Sequence, residues 1–217
     1  VPKKLFVYAS HYSEDYLQAQ GYGWDHARPD FNWSTLLENK NTEISRLNGI
    51  YKGLLDDAGV THFDGRARIV DQHHVAIGDN VASTNKILIA TGSWPVVPEF
   101  PGSEHAVTSN EAFFLEELPR HCLVVGGGYI AVEFAGIFNA LGVEVNLIIR
   151  ADNILRGFAE ALRSTLRDEM IKMGINILSD CRGNSIEHEA GGFSLRVDRT
   201  EMTQTDLGMY ATGRRPN

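Results

Sequence analysis

The sequence predicts an α/β protein with two tandem domains of related type, and three observations predict it. First, "CLVVGGGYIAVEFAGIFNALGVEVNLIIR" reads as strand, glycine turn, helix, strand, a βαβ unit. Second, "KILIATGSWP" and "LGMYATGRRP" each end a strand with Ala-Thr-Gly, two residues and proline, an internal echo between the two halves. Third, a loop carrying Pro95, Pro98 and Pro101 separates the halves and marks the expected domain boundary.

The elements follow in order. Pro2 suits a first helical position, and Leu5, Tyr8 and Tyr12 recur at helical spacing behind it. The turn-rich "GYGWDHARPD" ends that helix, with Trp24 and Trp33 expected in core or loop packing. From Phe31 to Ala58 the apolar residues Leu36, Leu37, Ile44, Leu47, Ile50, Tyr51, Leu54 and Leu55 trace one buried face of a long helix. "VTHFDGRARIVDQHHVAIGDN" alternates and turns like antiparallel strands, and "KILIATG" reads as a buried strand closed by glycine. After the βαβ unit, Phe158, Leu162, Leu166 and Met170 step by four along an amphipathic helix that stops at a glycine. Short strands follow at "INILSD", "NSIEHEA", "FSLRVDR" and "LGMYATG".

Composition limits the partners. The 217 residues are 43% apolar and 22% charged, enough for a sizeable core. A net charge of -8 and a pI near 5.5 exclude a broad basic face for nucleic acid or an anionic membrane, so any anion must be held locally. No apolar run reaches the length of a membrane span, and a soluble protein is expected. Cys122 and Cys181 are not joined by a C-x-x-C-like spacing and read as ordinary reduced thiols, which fits a reducing, cytoplasmic compartment.

Chemistry concentrates in "VVGGGYIAVEFA", which fits G-x-G-x-x-A through Gly126, Gly128 and Ala131. A glycine turn between an apolar strand and a helix aims backbone N–H groups and the helix dipole at a pyrophosphate, so dinucleotide binding is expected. Where an NAD site would place an acidic residue at the end of the second strand, this sequence has Arg150, with Arg156 six residues on. Charge-assisted hydrogen bonds contribute roughly 1.5–3 kcal/mol each, so two arginines would favour a 2′-phosphorylated cofactor by over about a hundredfold and predict NADPH. Surface arginines also follow strands for no ligand's sake, and Asp152 is placed to serve an NAD ribose instead. Lys3 stands at a helix N-terminus, where the dipole disfavours a cation, and Glu133 stands between apolar Val132 and Phe134; each needs a partner, and the sequence leaves open whether they meet. Adjacent His73 and His74 point to opposite faces of a strand and predict no metal site.

"VPKKLFVYAS", "LIATG", "GGGYIAVEFAGI", "IIRADNILRGF" and "ATGRRPN", in that order, resemble the flavoprotein disulfide reductases, class I pyridine nucleotide-disulfide oxidoreductases, from end to end. The resemblance implies two Rossmann-like dinucleotide-binding domains: an incomplete FAD domain over 1–100 and an essentially complete NADP domain over 101–217. It implies that "VPKK" directly follows a C-x-x-x-x-C redox pair and that the sequence stops short of a dimerisation domain bearing a His-Glu acid-base pair. Such a fragment of a homodimeric enzyme would reduce no disulfide by itself. The resemblance also implies roles. Lys3 matches the lysine near the flavin, paired with Glu133 beside the nicotinamide. Tyr129 matches the tyrosine that covers the flavin and swings aside for NADPH; without the family it reads as a helix-start aromatic in the core. Gly127, Ile130, Arg150, Arg156 and Gly213 match NADP-contacting positions, and Ala67, with Thr91 and Gly92 of "LIATG", falls on the FAD side. Tyr51 in "RLNGIY" resembles the substrate-side tyrosine of the glutathione-reducing members, favouring glutathione disulfide over a trypanothione or lipoyl substrate. The alternatives are a stand-alone NADP-binding module without the redox half, and an NADPH-flavin reductase without disulfide chemistry.

Overall fold

The computed structural model describes residues 1–24, 30–189, 192–197 and 200–217. Contacts divide the chain into two compact units, Val1–Lys40 with Ser93–Arg215 and Asn41–Gly92 with Pro216–Asn217. The proline-bearing stretch 95–101 lies inside the first unit.

Helix α1 (Pro2–Ala19) starts with Pro2 in its first turn, where the missing N–H costs nothing. Its buried residues are Phe6 and Ser10, whereas Tyr8 and Tyr12, expected on the apolar stripe, are exposed. The core selects the ring that meets other rings: Phe6 packs 5.1 Å from Trp33 and 5.7 Å from Phe113, centroid to centroid. A short 3-10 turn, Gln20–Tyr22, and Gly23 at φ 86° end the helix, and Trp24 is exposed rather than packed. The remainder of that turn-rich stretch, 25–29, lies outside the described residues.

Helix α2 (Trp33–Asp57) is fastened in its first turns. The Trp33 indole N–H donates to the Leu115 carbonyl at 2.8 Å. The buried Lys40 ammonium donates to the Phe113 carbonyl at 2.6 Å and lies 4.0 Å from the Phe114 ring centre. Burial lowers the Lys40 pKa, and the carbonyl and ring offset part of that cost. The expected buried face does not extend along α2, because Ile50, Tyr51, Leu54 and Leu55 are 40–59% exposed and the second unit brings no core to them.

In the second unit, β1 (Ala67–Ile69), β2 (His74–Ile77) and β3 (Asn80–Ser83) form an antiparallel meander. His73 and His74 flank its turn, and their rings bond the Thr84 carbonyl and Asp71. The "KILIATG" segment is not the buried strand expected: residues 86–92 form no strand, with Leu88 90% and Ile89 66% exposed. A buried strand needs partners at its edges, and this unit supplies none there.

The first unit resumes with β4 (Ser93–Pro95) and the one-turn α3 (Ser109–Ala112), opened by a capping box in which Thr108 and Glu111 bond reciprocally. Then come β5 (His121–Val125), α4 (Tyr129–Ala140), β6 (Glu144–Ile148), α5 (Glu160–Lys172) and β7 (Asn176–Leu178). They are followed by β8 (Gly183–Glu189), β9 (Gly192–Val197), β10 (Thr200–Thr205), β11 (Leu207–Tyr210) and β12 (Arg214–Pro216). A parallel sheet of order β11-β5-β6-β7 forms the centre. Strand β5 is buried on both faces, and its alternation divides the core. Cys122 and Val124 join Phe134, Phe138 and Phe6 in a cluster that includes the helices. Leu123 and Val125 join Ile186, Leu195 and Val197 of the β8–β9–β10 meander. Both cysteines are buried free thiols, and burial pushes the Cys122 thiol pKa up. The two echoing segments meet, since β4 pairs β12, and the Arg214 guanidinium donates to the Ser93 carbonyl at 2.5 Å and hydroxyl at 2.8 Å.

The apolar ridge expected along α5 faces outward, with Phe158 and Leu162 59% and 65% exposed and Met170 alone buried. Arg163, Arg167 and Met170, at steps of four and three, form the inward stripe instead.

Among the described residues no helix is long and apolar enough to cross a membrane, and no cluster of three or more His, Cys, Asp or Glu side chains has metal-holding geometry.

Candidate nucleotide-binding site

The site is built at the carboxyl ends of β5 and β6, where an open parallel sheet presents its crevice. Gly126 leaves β5 at φ 142°, and a Cβ there would sit 2.9 Å from the Ala211 carbonyl carbon and closer still to its oxygen. That position is closed to any side chain by the approach of the backbone after β11. Gly128, the N-cap of α4, has ordinary φ of -86° and nothing within 4 Å of where a Cβ would stand. Its bareness faces open space rather than protein, as a backbone cradle for a ligand requires. Ala131 is fully buried and lets α4 approach the sheet.

The first intrahelical bond of α4 runs from the Val132 N–H to the Gly128 carbonyl, and no side chain caps the helix. The N–H groups of Tyr129, Ile130 and Ala131 therefore point out of the helix end, with the positive end of the dipole behind them. These donors, the open cradle and nearby cations fit a pyrophosphate-bearing nucleotide.

Three side chains meet at this helix end. The Lys3 ammonium forms an ion pair with the Glu133 carboxylate, and it also lies 5.0 Å from the centre of the Tyr129 ring. Helix α1 supplies the lysine and α4, packed beside it, supplies the other two. The carboxylate offsets the cost of a cation at the start of α1, although both side chains remain partly exposed, so the pair contributes about 1 kcal/mol or less. Tyr129 is 58% exposed and is not a core aromatic.

Arg150 and Arg156 lie on loop 149–159 after β6. Both are exposed, and neither has an ion-pair or hydrogen-bond partner among the described residues. Asp152, the alternative ribose acceptor, is exposed with its carboxylate 3.9 Å from the Arg163 guanidinium. Gly213 stands two residues beyond Ala211, whose N–H donates to the Val125 carbonyl beside the glycine turn, and the Gly213 carbonyl accepts from Val96 N–H. Ala67, Thr91, Gly92 and Tyr51 belong to the second unit. There Tyr51 is exposed on α2, Ala67 opens β1, and the Thr91 and Gly92 carbonyls both accept from Asn217.

Two residues at this site were not singled out in the sequence. Arg163 and Arg167 reach from α5 to the loop: Arg163 Nε donates to the Ile154 carbonyl at 2.7 Å, and Arg167 donates to the Asp152 carbonyl at 3.2 Å and to Ser179 Oγ at 3.0 Å. An i,i+4 arginine pair on the helix after the arginine-bearing loop was their only sequence signal, and the stronger apolar period masked it.

A parallel α/β sheet with a glycine turn opening a helix defines the class of protein, and comparison with known proteins defines the family. The chain belongs to the pyridine nucleotide-disulphide oxidoreductases, whose family profile matches residues 2–217. It is 41% identical over its whole length to the glutathione reductase of Nostoc sp., covering 48% of that protein. It is 37% identical over its whole length to the trypanothione reductase of Trypanosoma congolense, covering 47% of it. The chain thus spans about half the length of the curated relatives it matches. Its fold superposes on the HOCl-induced flavoprotein disulfide reductase RclA from Escherichia coli with a TM-score of 0.84, at 24% identity, covering all of this chain and 47% of that one.

Proposed function

We propose that this chain is the nucleotide-binding portion of an NADPH-dependent flavoprotein that reduces glutathione disulfide and works as a cytoplasmic homodimer. The substrate reading rests on the 41% identity, over the whole chain, to a glutathione reductase. Tyr51, exposed on α2, is the residue assigned to the substrate. In the overall reaction NADPH and a proton convert one glutathione disulfide to two thiols and NADP+. Bound in such an enzyme, the nicotinamide nucleotide supplies a hydride and the flavin passes the electron pair to a disulfide.

The chain's own residues do the following in this reading. Gly126 makes the turn, Gly127 seats the following loop by accepting from the Leu155 N–H, Gly128 presents bare backbone, and the N–H groups of Tyr129, Ile130 and Ala131 hold the pyrophosphate. Arg150 and Arg156 take the 2′-phosphate, for which their lack of protein partners is the supporting observation. Lys3 places positive charge toward the flavin while Glu133 holds it, and Tyr129 shields the helix end until the nucleotide arrives. Ala67, Thr91, Gly92 and Gly213 contribute backbone on the flavin and NADP sides. Cys122 and Cys181 are buried away from any exchange partner, so the reading takes the redox-active cysteine pair and the His-Glu pair from outside residues 1–217.

One experiment tests both halves. The full-length protein carrying this chain is assayed for NADPH oxidation with glutathione disulfide, oxidised trypanothione and lipoamide, in parallel with an Arg150→Ala/Arg156→Ala variant titrated with NADP+ and NAD+. The expected result is turnover with glutathione disulfide foremost, and a variant whose preference for NADP+ falls by over about tenfold. Turnover on another disulfide alone removes the substrate assignment, and an unchanged nucleotide ratio removes the cofactor assignment.

A further inference from the structure

Loop 149–159 carries the two arginines but cannot hold its own shape by local propensity. Leu155, immediately before Arg156, has φ 52°, the left-handed region that a branched L side chain adopts only under constraint. Two contacts on the peptide that enters Leu155 supply that constraint. The Leu155 N–H donates to the Gly127 carbonyl at 2.6 Å, docking the loop on the glycine turn. The carbonyl just before it, that of Ile154, accepts from Arg163 Nε at 2.7 Å. Arg163 is only 14% exposed, and its guanidinium is itself fixed by Glu160 at 2.5 Å, with Glu160 held in turn by the buried Asn153. A mostly covered guanidinium bonded through separate nitrogens to a carbonyl and to a carboxylate is a fixed strut rather than a solvated surface arginine.

We propose that Arg163, which lies on α5 and is assigned no contact with nucleotide, is the positioning residue that sets the preference for a 2′-phosphorylated dinucleotide. The inference rests on the assignment of Arg150 and Arg156 to that phosphate. Arg163 fixes the Ile154–Leu155 peptide, the strained Leu155 aims the chain, and Arg156 is thereby presented from one conformation instead of many. Bonds from several exposed arginines to one phosphate are worth their full strength only when the donors are preorganised. The glycine turn and helix end, which hold the pyrophosphate common to both nucleotides, stand on β5 and α4, and Arg163 reaches them only through the Leu155 N–H on the Gly127 carbonyl.

The test is calorimetric titration of the full-length protein with NADP+ and NAD+, comparing native protein with Arg163→Lys and Arg163→Met. Native protein is expected to prefer NADP+. In Arg163→Met that preference falls about tenfold, the size of one charge-assisted hydrogen bond, while NAD+ affinity changes by less than about twofold. Arg163→Lys, which keeps a donor but loses the fork, falls in between. A ratio unchanged in Arg163→Met, or equal weakening of both nucleotides, overturns the proposal. Should Arg163→Met not fold, the comparison of arginine with lysine decides, and an unchanged ratio there overturns it equally. A native protein with no preference for NADP+ defeats instead the assignment of Arg150 and Arg156, which separates the two failures.

Discussion

At Gly126 and Gly128 one motif makes two unlike demands, and substitution separates them. An alanine at Gly126 must adopt φ 142° and meet the Ala211 carbonyl, a strained backbone and a clash together. Gly126→Ala is expected to lower unfolding free energy by roughly 2–4 kcal/mol in urea denaturation. Gly128→Ala keeps an ordinary φ and meets no protein atom, so its stability stays within about 1 kcal/mol of native. Its methyl instead enters the open cradle, and NADP+ affinity is expected to drop by about tenfold or more in the same calorimetric titration. Equal destabilisation by both substitutions, or unaltered binding in Gly128→Ala, would refute this division of labour. The motif was legible because it is a local demand on the backbone, written in residues that sit together. Arg163 was not legible, because its importance comes from a left-handed Leu155 that makes one carbonyl available, and no spacing in the sequence announces that conformation.

At the scale of elements, the parallel sheet depends on how its edge strand is tied to its centre. Asp206, at the start of β11, accepts the N–H groups of Arg120 and His121 at 2.9 and 3.1 Å and returns its own N–H to the His121 carbonyl. Desolvation pushes the Asp206 pKa up, but the two amides and the neighbouring Arg120 and His121 outweigh it and leave the carboxyl below its usual range. A folded-state value below the unfolded one, about 3.9, gives stability that is present above that pH and is lost as pH falls through the folded value. Asp206→Asn is therefore expected to cost about 1–2 kcal/mol at pH 7, with the gap from native protein narrowing toward pH 3 in urea titrations. A gap that stays constant over that range would assign the cost to packing instead of charge. Elements were legible wherever a periodic pattern met a partner inside the same unit, as in β5, α4, β6 and the β1–β3 meander. They misled where the pattern had no partner: "KILIATG" has the composition of a central strand without neighbours, and the ridge from Phe158 to Leu166 has helical spacing on the outward face. Apolar period locates an element; it does not say which of its faces another element covers.

For the whole molecule, stability is distributed unevenly between the two units. Both hydrophobic clusters lie entirely within Val1–Lys40 and Ser93–Arg215, where β5 is buried on both faces and α4 sets Phe134 between the rings of Phe113 and Phe138. Between Asn41 and Gly92, Ile77 is the one buried hydrophobic among the described residues, and Ile50, Tyr51, Leu54 and Leu55 of α2 are exposed. Burying apolar surface contributes about 25 cal/mol per Å2, so a three-stranded meander with one buried side chain has little to set against its ordering entropy. Amide exchange in native protein should report this directly. The amides of β5, β6 and β11 are expected to exchange only through global unfolding, and those of β1, β2 and β3 through local openings, faster by about a hundredfold or more. Mass-spectrometric exchange on this chain measures both sets at once. Protection of the meander equal to that of the parallel sheet would show that the second unit draws stability from something other than its own core. The expected asymmetry is consistent with the placement of the nucleotide machinery: its turn, its helix end and its strut all stand on the unit that has a core, where a geometry once set is held.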